Sequence, residues 1–414
     1  MNANPRIFLS AGEASGDHYG AEIIAELRRR TPAATFTGLG GTAMEAAGQL
    51  RIVRAEDVAH MGITEVLRHA AYIHSQYRRL VRAIHRDRPS LAIFIDFPDV
   101  NLRLAAHCKR LGIPVLYFVS PQLWAWKRRR LRWVQQRVDR MLVIFPFEAP
   151  FYRNRGVDAE FVGHPLATLP MPTISREAYA AEHGLDPAKT WIALLPGSRE
   201  REVQANLPTM LQMEDHLELL DAPYQLILPV ASTLSAEFLQ SLVARWKYTE
   251  SHRNLIADLT LVPDAREALH HARASVVASG TATVQALTIG NPFVVVYRVS
   301  PLTFTIVKRL VRYPAEIPAQ PDADGNLPIA MPNLIAGRRI IPELLNDRFT
   351  AANLAAALRP LLDDSPARAQ MIVDLAEARG RLLPSPGSNP IQRICDAADA
   401  LLKVDVARNL ASTV

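Results

Sequence analysis

At 414 residues, 49% of them apolar, the chain is long enough for two hydrophobic cores, and its two cysteines, Cys108 and Cys395, exclude a disulfide framework or thiolate metal site and read as reduced structural thiols. Apolar runs stop at about eight residues where a membrane-crossing helix needs roughly twenty, and Ile7 follows Met-Asn-Ala-Asn-Pro-Arg without a charged lead or cleavage site, so the expectation is a chain that stays inside the cell. The net charge of +6 is gathered into clusters (Arg78, Arg79, Arg82, Arg86 and Arg88; Lys127 to Arg130 and Arg132; Lys308, Arg309 and Arg312) that suit a phosphate-rich partner, solvated helix faces being the alternative for any one of them.

The first strand is expected at Arg6 to Ser10. Behind it, Ser10-Ala11-Gly12-Glu13-Ala14-Ser15-Gly16-Asp17 leads into a helix with Ile23, Ile24 and Leu27 on one face. The two glycines let backbone N–H groups approach a ligand, and the helix start behind them favours negative charge. The spacing is not G-x-G-x-x-G, which argues against NAD. One acid would suffice to cap the helix, so the pair Glu13 and Asp17 leans weakly toward function.

A buried strand from Leu91 to Phe97 carries Asp96-Phe97-Pro98-Asp99-Val100-Asn101 at its carboxyl end, where open α/β sheets bind ligands. A partly desolvated carboxylate there can act as general base toward a sugar hydroxyl. The alternative has Asp99 capping the next helix and Asp96 held by loop amides. Val115 to Val119 is the next strand, followed by Ser120-Pro121-Gln122-Leu123-Trp124-Ala125-Trp126 and the basic run. Two tryptophans beside cations fit a carbohydrate or lipid-phosphate surface, whereas the basic run is short and sits in no recognised nucleic-acid module. Met141 to Phe145 and Glu160 to Val162 complete a series apolar on both faces, as a helix-covered parallel sheet requires. His164 closes it; a lone histidine is more often structural, and its place at the domain junction keeps a substrate role open.

A proline-bearing segment follows, with the hinge placed near residues 166 to 175. The alternation then restarts at Trp191 to Leu195, Tyr224 to Leu228, Leu259 to Val262, Ala274 to Ala278 and Phe293 to Tyr297. Two βα series argue for an α/β chain of two doubly wound parallel-sheet domains facing each other across a cleft. Pro196-Gly197-Ser198-Arg199-Glu200 offers a glycine, a hydroxyl and an arginine able to pair with two phosphate oxygens; a capped turn with a surface ion pair is the plainer option. Ser279-Gly280-Thr281-Ala282-Thr283, ahead of a helix to about Thr288, forms a second anion site, and two such sites point to a nucleotide diphosphate. Asp322, Asp324 and Asn326 are spaced like the start of a calcium loop, but Leu327 and Asn333 stand where glycine and glutamate are needed, so Pro318 to Pro328 reads as a flexible insertion. From Ala351 the pattern is helical, broken by Pro384, Pro386 and Pro390, and a last helix from about Ile391 to Ala407 is expected to pack back on a domain.

Strings in register along the chain, AGEASGD (11 to 17), DFPDVNLRLA (96 to 105), VSPQLWAWK (119 to 127), FPFEAPFY (145 to 152), FVGHPL (161 to 166), LLPGSRE (194 to 200), ASGTATVQA (278 to 286), YRVSPLTF (297 to 304) and MPNLIAGRRIIPELL (331 to 345), closely resemble lipid A disaccharide synthases. The resemblance implies the GT-B fold: an acceptor and membrane-facing domain over 1–168, a UDP-sugar donor domain over 169–385, and a closing helix in 386–414 on the first domain. It implies inverting transfer of 2,3-diacylglucosamine from its UDP ester to the 6-hydroxyl of 2,3-diacylglucosamine 1-phosphate, with no metal or cofactor. It further implies peripheral attachment to the cytoplasmic leaflet of the inner membrane, with Met61 to Leu67 and the helix carrying Tyr72, Ile73, Arg78, Arg79 and Arg82 as the acyl-chain entry surface; no nucleic acid is expected, and oligomerisation stays open.

For the residues, the resemblance implies Asp99 as the base taking the acceptor proton, with Asp96 next in line and Glu13 and Asp17 at the cleft floor. Ser198, Arg199, Ser279, Gly280, Thr281, Ala282 and Thr283 would steady the leaving diphosphate. Asn333, Gly337, Arg338 and Arg339 would complete the donor side or meet the acceptor phosphate. Ser15, Gly16, Ser120, Trp124, His164, Gln285 and Arg298 are further expected substrate contacts. Two departures stand out: Gln285 replaces an acid usual in the family, and Ala315 to Ala330 lengthens a normally short connection. A UDP-sugar epimerase, a cell-wall precursor glycosyltransferase and a non-catalytic lipid or nucleotide binder are the competing readings.

Overall fold

The computed structural model describes residues 4–59, 70–217, 223–249, 259–300, 304, 308 and 311–411. The chain divides into two compact units, 1–168 with 382–414, and 169–381.

The first unit is built on a parallel sheet in the order β3-β2-β1-β4-β5-β6-β7. Its strands are β1 (Arg6–Ala11), β2 (Thr35–Gly40), β3 (Gln49–Arg54), β4 (Leu91–Ile95), β5 (Val115–Phe118), β6 (Arg140–Val143) and β7 (Ala159–Phe161). The Leu-Ala-Ile-Phe-Ile run of β4 and the Val-Leu-Tyr-Phe run of β5 are buried at every position, because helices cover both faces of a parallel sheet. Strands β2 and β3 escape the apolar-run pattern for a physical reason. They lie toward the sheet edge, where β3 leaves Leu50 and Arg54 exposed and β2 contains glycines.

The second unit repeats the plan with the order β10-β9-β8-β11-β12-β13. Here the strands are β8 (Thr190–Leu195), β9 (Tyr224–Pro229), β10 (Leu259–Val262), β11 (Ala274–Ala278), β12 (Phe293–Tyr297) and β13 (Glu343–Leu345).

The final helix, Pro390–Ala411, belongs to the first unit, where Ile394, Cys395 and Ala398 are fully buried. It lies on the helix Ala14–Arg30 and on β4 and β5. Arg30, largely sheltered, bonds to Glu26 on its own helix at 2.7 Å and to Asp396 and Asp399 on the last one at 2.7 and 3.0 Å. Where the chain returns from the second unit, the His164 amide donates to the Leu382 carbonyl at 2.8 Å.

The stretch read as a flexible insertion is instead pinned down. The Asp322 carboxylate accepts from the backbone N–H groups of Asp324 and Asn326 at 3.0 and 2.8 Å. The Tyr313 hydroxyl donates to the Pro328 carbonyl at 2.7 Å, and Glu343 accepts from Ile329 and Ala330 at 3.0 and 3.1 Å. Those bonds give the loop amides and carboxylates internal partners that the calcium-like spacing alone could not reveal.

Candidate active site

In a doubly wound sheet the crevice opens where strand order reverses, beyond the carboxyl ends of the two strands that flank the reversal. In the first unit those strands are β1 and β4, which run in register from Ile7 opposite Leu91 to Ala11 opposite Ile95. The turns after them therefore lie side by side, and they bring Glu13 and Asp96 together. Gly12 makes this closeness visible, because a Cβ there would fall 2.5 Å from the Phe97 ring.

Asp96 and Phe97 both take left-handed backbone conformations, with φ of 45° and 48°. Two successive residues with a Cβ in that region are uncommon and require surrounding support. Phe97 caps the helix Pro98–Arg110, and Pro98 fits its first turn because the missing N–H would have no helical partner there. Burial pushes the Asp96 carboxyl up to about 7, with Glu13 adding to the rise and a hydrogen bond from the Phe97 backbone opposing it. Asp99 differs: its side chain is 62% exposed and it pairs with Arg130.

The Asp17 carboxylate is engaged by backbone groups. It accepts from the backbone N–H groups of Gly41, Ala43 and Met44 at 2.7, 3.0 and 3.1 Å, capping the short helix Thr42–Ala46. The second acid of the motif thus serves a different helix from the one it begins. Gly16 packs closely on the sheet, where a Cβ would meet Ala11 at 3.3 Å and Ile95 at 3.4 Å. Ser15 stays exposed beside Glu13 in the first turn of the helix Ala14–Arg30.

The loop after β5 also departs from expectation. Trp124 is 1% exposed, so it offers no stacking face; its indole N–H donates to Glu148 at 3.1 Å. Ser120 donates to the same carboxylate at 2.8 Å, and the Phe145 backbone N–H to its other oxygen at 3.1 Å. Burial pushes Glu148 up to about 7 despite these donors. In the sequence Glu148 is a lone acid among aromatics, and its partners Ser120 and Trp124 lie 28 and 24 residues away, so nothing local announces them. Trp126 remains outside, 53% exposed, with the Lys127 ammonium 4.1 Å from its ring centroid. His164 is buried and accepts from the Leu166 N–H on Nδ1 at 3.2 Å; burial lowers its pKa to about 3, so the ring is neutral.

In the second unit the reversal falls between β8 and β11, which pair from Ala274 opposite Ile192 to Val277 opposite Leu195. The two expected phosphate loops are the turns that follow them. Gly197 and Gly280 have φ of 136° and 148°, which only glycine adopts without strain. The helix Thr281–Ile289 begins at Gly280 without a side-chain cap, and Thr281 is exposed. Its first N–H groups are a ready anion site. Ser279 and Ala282 flank this start, Thr283 turns inward to donate to the Gly280 carbonyl at 2.7 Å, and Gln285 follows one turn later, half-buried. Arg199 is 70% exposed and holds Glu202 at 2.9 Å, while the Ser198 N–H donates to the same carboxylate at 3.2 Å.

Other expected donor-side residues have internal partners. Arg298 donates to the Ala205 carbonyl, the Thr209 hydroxyl and the Phe349 carbonyl at 3.1, 2.8 and 2.5 Å. Asn333, 1% exposed, accepts from Ile340 and Ile341 and donates to Ile341 and Glu343, which uses the full capacity of its amide. Gly337 ends the helix Met331–Ala336 at φ 73° against Pro318, and Arg338 pairs with Asp374 at 2.9 Å. Arg298, Asn333 and Arg338 thus each have partners within their own unit.

Comparison with known proteins settles the family. The lipid-A-disaccharide synthetase family model matches residues 7–381. The chain belongs to the lipid-A-disaccharide synthase family. Among its relatives, the lipid-A-disaccharide synthase of Acidobacterium capsulatum is 52% identical over 410 residues, covering 97% of this chain and 98% of the relative. That of Koribacter versatilis is 45% identical over 378 residues, covering 91% and 93%. The solved glycotransferase of kitacinnamycin superposes with a TM-score of 0.59 at 17% identity, covering 96% of this chain and 99% of its own, a likeness of fold. The enzyme is a hexosyltransferase of lipid A biosynthesis with the GT-B fold. No described helix is long and apolar enough to cross a membrane.

Proposed function

We propose that the chain transfers 2,3-diacylglucosamine from its UDP ester to the 6-hydroxyl of 2,3-diacylglucosamine 1-phosphate, with inversion, and that Asp96 is the base. The observation that carries this reading is the half-buried Asp96 carboxyl at the β1–β4 reversal, with its pKa raised to about 7. A general base works best when its pKa lies near the working pH. The geometry favours Asp96 over the exposed, Arg130-paired Asp99.

Asp96 takes the proton from the acceptor's 6-hydroxyl as that oxygen forms its bond to the anomeric carbon. The bond from that carbon to the diphosphate breaks on the opposite face, and UDP leaves with the bonding electron pair. Glu13, exposed beside Asp96, would hold a hydroxyl of the reacting sugars. The uncapped start of the helix Thr281–Ile289, with Ser279 and Arg199, would receive the diphosphate, since fixed dipoles and a guanidinium offset growing negative charge. In this reading the unit containing β1–β7 takes the acceptor and the unit containing β8–β13 takes the donor. Gln285 would meet the ribose hydroxyls as a neutral partner.

The membrane assignment is part of the same proposal: attachment to the cytoplasmic leaflet of the inner membrane from outside the bilayer. Met61 to Leu67 lies outside the described residues. The helix Ala70–Asp87 that follows buries Gln76, Leu80, Ala83 and Ile84 and exposes Tyr72, Arg78, Arg79 and Arg82, and Trp126 with Lys127 adds an amphipathic tip. Apolar tips ringed by cations suit an anionic lipid surface. Flotation with vesicles containing phosphatidylglycerol should weaken on Trp126→Ala, and equal flotation of both proteins speaks against this contact.

The deciding assay supplies both diacylated substrates and detects the disaccharide 1-phosphate by mass, with unacylated UDP-N-acetylglucosamine as the control donor. Disaccharide from the acylated pair is the expected result. UDP release from the unacylated donor alone would end this reading.

A further inference from the structure

The left-handed turn at Asp96 and Phe97 is held from behind by two buried side chains, Asn101 and Tyr117. Asn101 is fully buried, one turn into the following helix; its Nδ2 donates to the Asp96 carbonyl at 2.7 Å and lies 3.2 Å from both the Ile95 and the Ser10 carbonyls, which share its second hydrogen. Its Oδ1 accepts from the Ser10 hydroxyl at 2.6 Å. Tyr117, on the neighbouring strand β5 and also fully buried, donates its hydroxyl to the same Asp96 carbonyl at 2.6 Å. Two donors thus converge on one carbonyl, and they come from separate elements.

We propose that Asn101 and Tyr117 are positioning residues for the reaction: by clamping the Asp96 carbonyl they fix the left-handed turn that aims the Asp96 carboxyl at the reversal of the sheet. This rests on the reading of Asp96 as the base. The conformation is unfavourable for a residue with a Cβ, so an unclamped chain relaxes toward ordinary φ and swings the side chain away. Asn101 also ties the ends of β1 and β4 together through Ser10 and Ile95, fixing the turn that carries Glu13 relative to the one that carries Asp96. The groups facing this site are Glu13 from the β1 turn, Tyr117 from β5, and Asp99 with Arg130 beyond them.

Removing Asn101 would orphan several buried groups and compromise folding. Tyr117→Phe is the sharper probe, because it deletes one hydroxyl and keeps the buried ring. In the full-length enzyme with both diacylated substrates, Tyr117→Phe is expected to lose about 10- to 100-fold in kcat with KM within about twofold, the signature of misplaced chemistry with intact binding. The acid limb of its pH–rate profile is expected to move to lower pH, as a loosened carboxyl gains access to water. Asp96→Asn measured alongside separates the two claims. If Asp96→Asn is inactive while Tyr117→Phe keeps wild-type kcat and acid limb, the positioning role is wrong and the base stands. If Asp96→Asn turns over like wild type, the base reading falls and the positioning role with it. A kcat loss in Tyr117→Phe with an unmoved acid limb marks a merely structural hydroxyl and also overturns the proposal.

Discussion

Replacing Asp17 by alanine removes the acceptor of three backbone N–H groups at the start of the helix Thr42–Ala46. The bonds from Gly41 and Met44 are buried, and the one from Ala43 is partly accessible. An unsatisfied buried amide costs about 1–3 kcal/mol and a lost helix cap about 1 kcal/mol. Water entering the gap left by the carboxylate recovers part of this, so a loss of roughly 2–4 kcal/mol is expected. For a unit of this size that lowers Tm by about 5–15 °C. Gly41→Ala should reproduce the effect, since its Cβ would fall 2.5 Å from an Asp17 carboxylate oxygen. Calorimetry gives Tm, and kcat is measured at a temperature where both variants remain folded. The result that refutes the reasoning is an unchanged Tm with kcat down by two orders of magnitude, which would return Asp17 to the reaction.

With Asp96 as the proposed base, the carboxyl has to be ionised to accept a proton, so kcat/KM should fall below about pH 7 with a midpoint near the raised value, measurable with the acylated pair across pH 5–9. The same shift has a stability sign: a carboxyl with a raised folded-state pKa binds more protons folded than unfolded, so its contribution declines as pH rises from about 4 to about 7 and is flat above that. Asp96→Asn should remove that decline in a urea titration. Gly12→Ala should cut kcat by about tenfold or more and lower Tm by several degrees, because its Cβ displaces the Phe97 ring beside Asp96; wild-type kcat in that variant would mean the two turns are not coupled.

The strands that flank the two reversals were legible because buried parallel strands are continuous apolar runs with polar residues at their carboxyl ends. Leu91 to Ile95 and Ala274 to Ala278 announce both themselves and the turns beyond them. Strands β2, β3 and β13 were not legible, being glycine-bearing, half-exposed or three residues long. Site roles were harder still. Asp17, Asn333 and Arg298 occur in motifs that look like ligand contacts, and whether a polar side chain faces outward or ties down a neighbouring backbone depends on elements distant in sequence. Trp124 and Trp126 illustrate the point: two residues apart, one bonds to a buried carboxylate from a position 24 residues on and the other faces solvent. The local spacing is identical in either case. Asp96 and Asp99 divide in the same way: Asp96, in the left-handed turn, is half-buried, and Asp99, in the first turn of the following helix, is exposed.

The most direct measurement compares Asp96→Asn and Asp99→Asn in the disaccharide assay, with binding of the UDP-sugar donor measured on both. With Asp96 as the base, Asp96→Asn loses about 10²- to 10⁴-fold in kcat and still binds donor, while Asp99→Asn stays within about tenfold of wild type. An inactive Asp99→Asn beside an active Asp96→Asn would contradict the account.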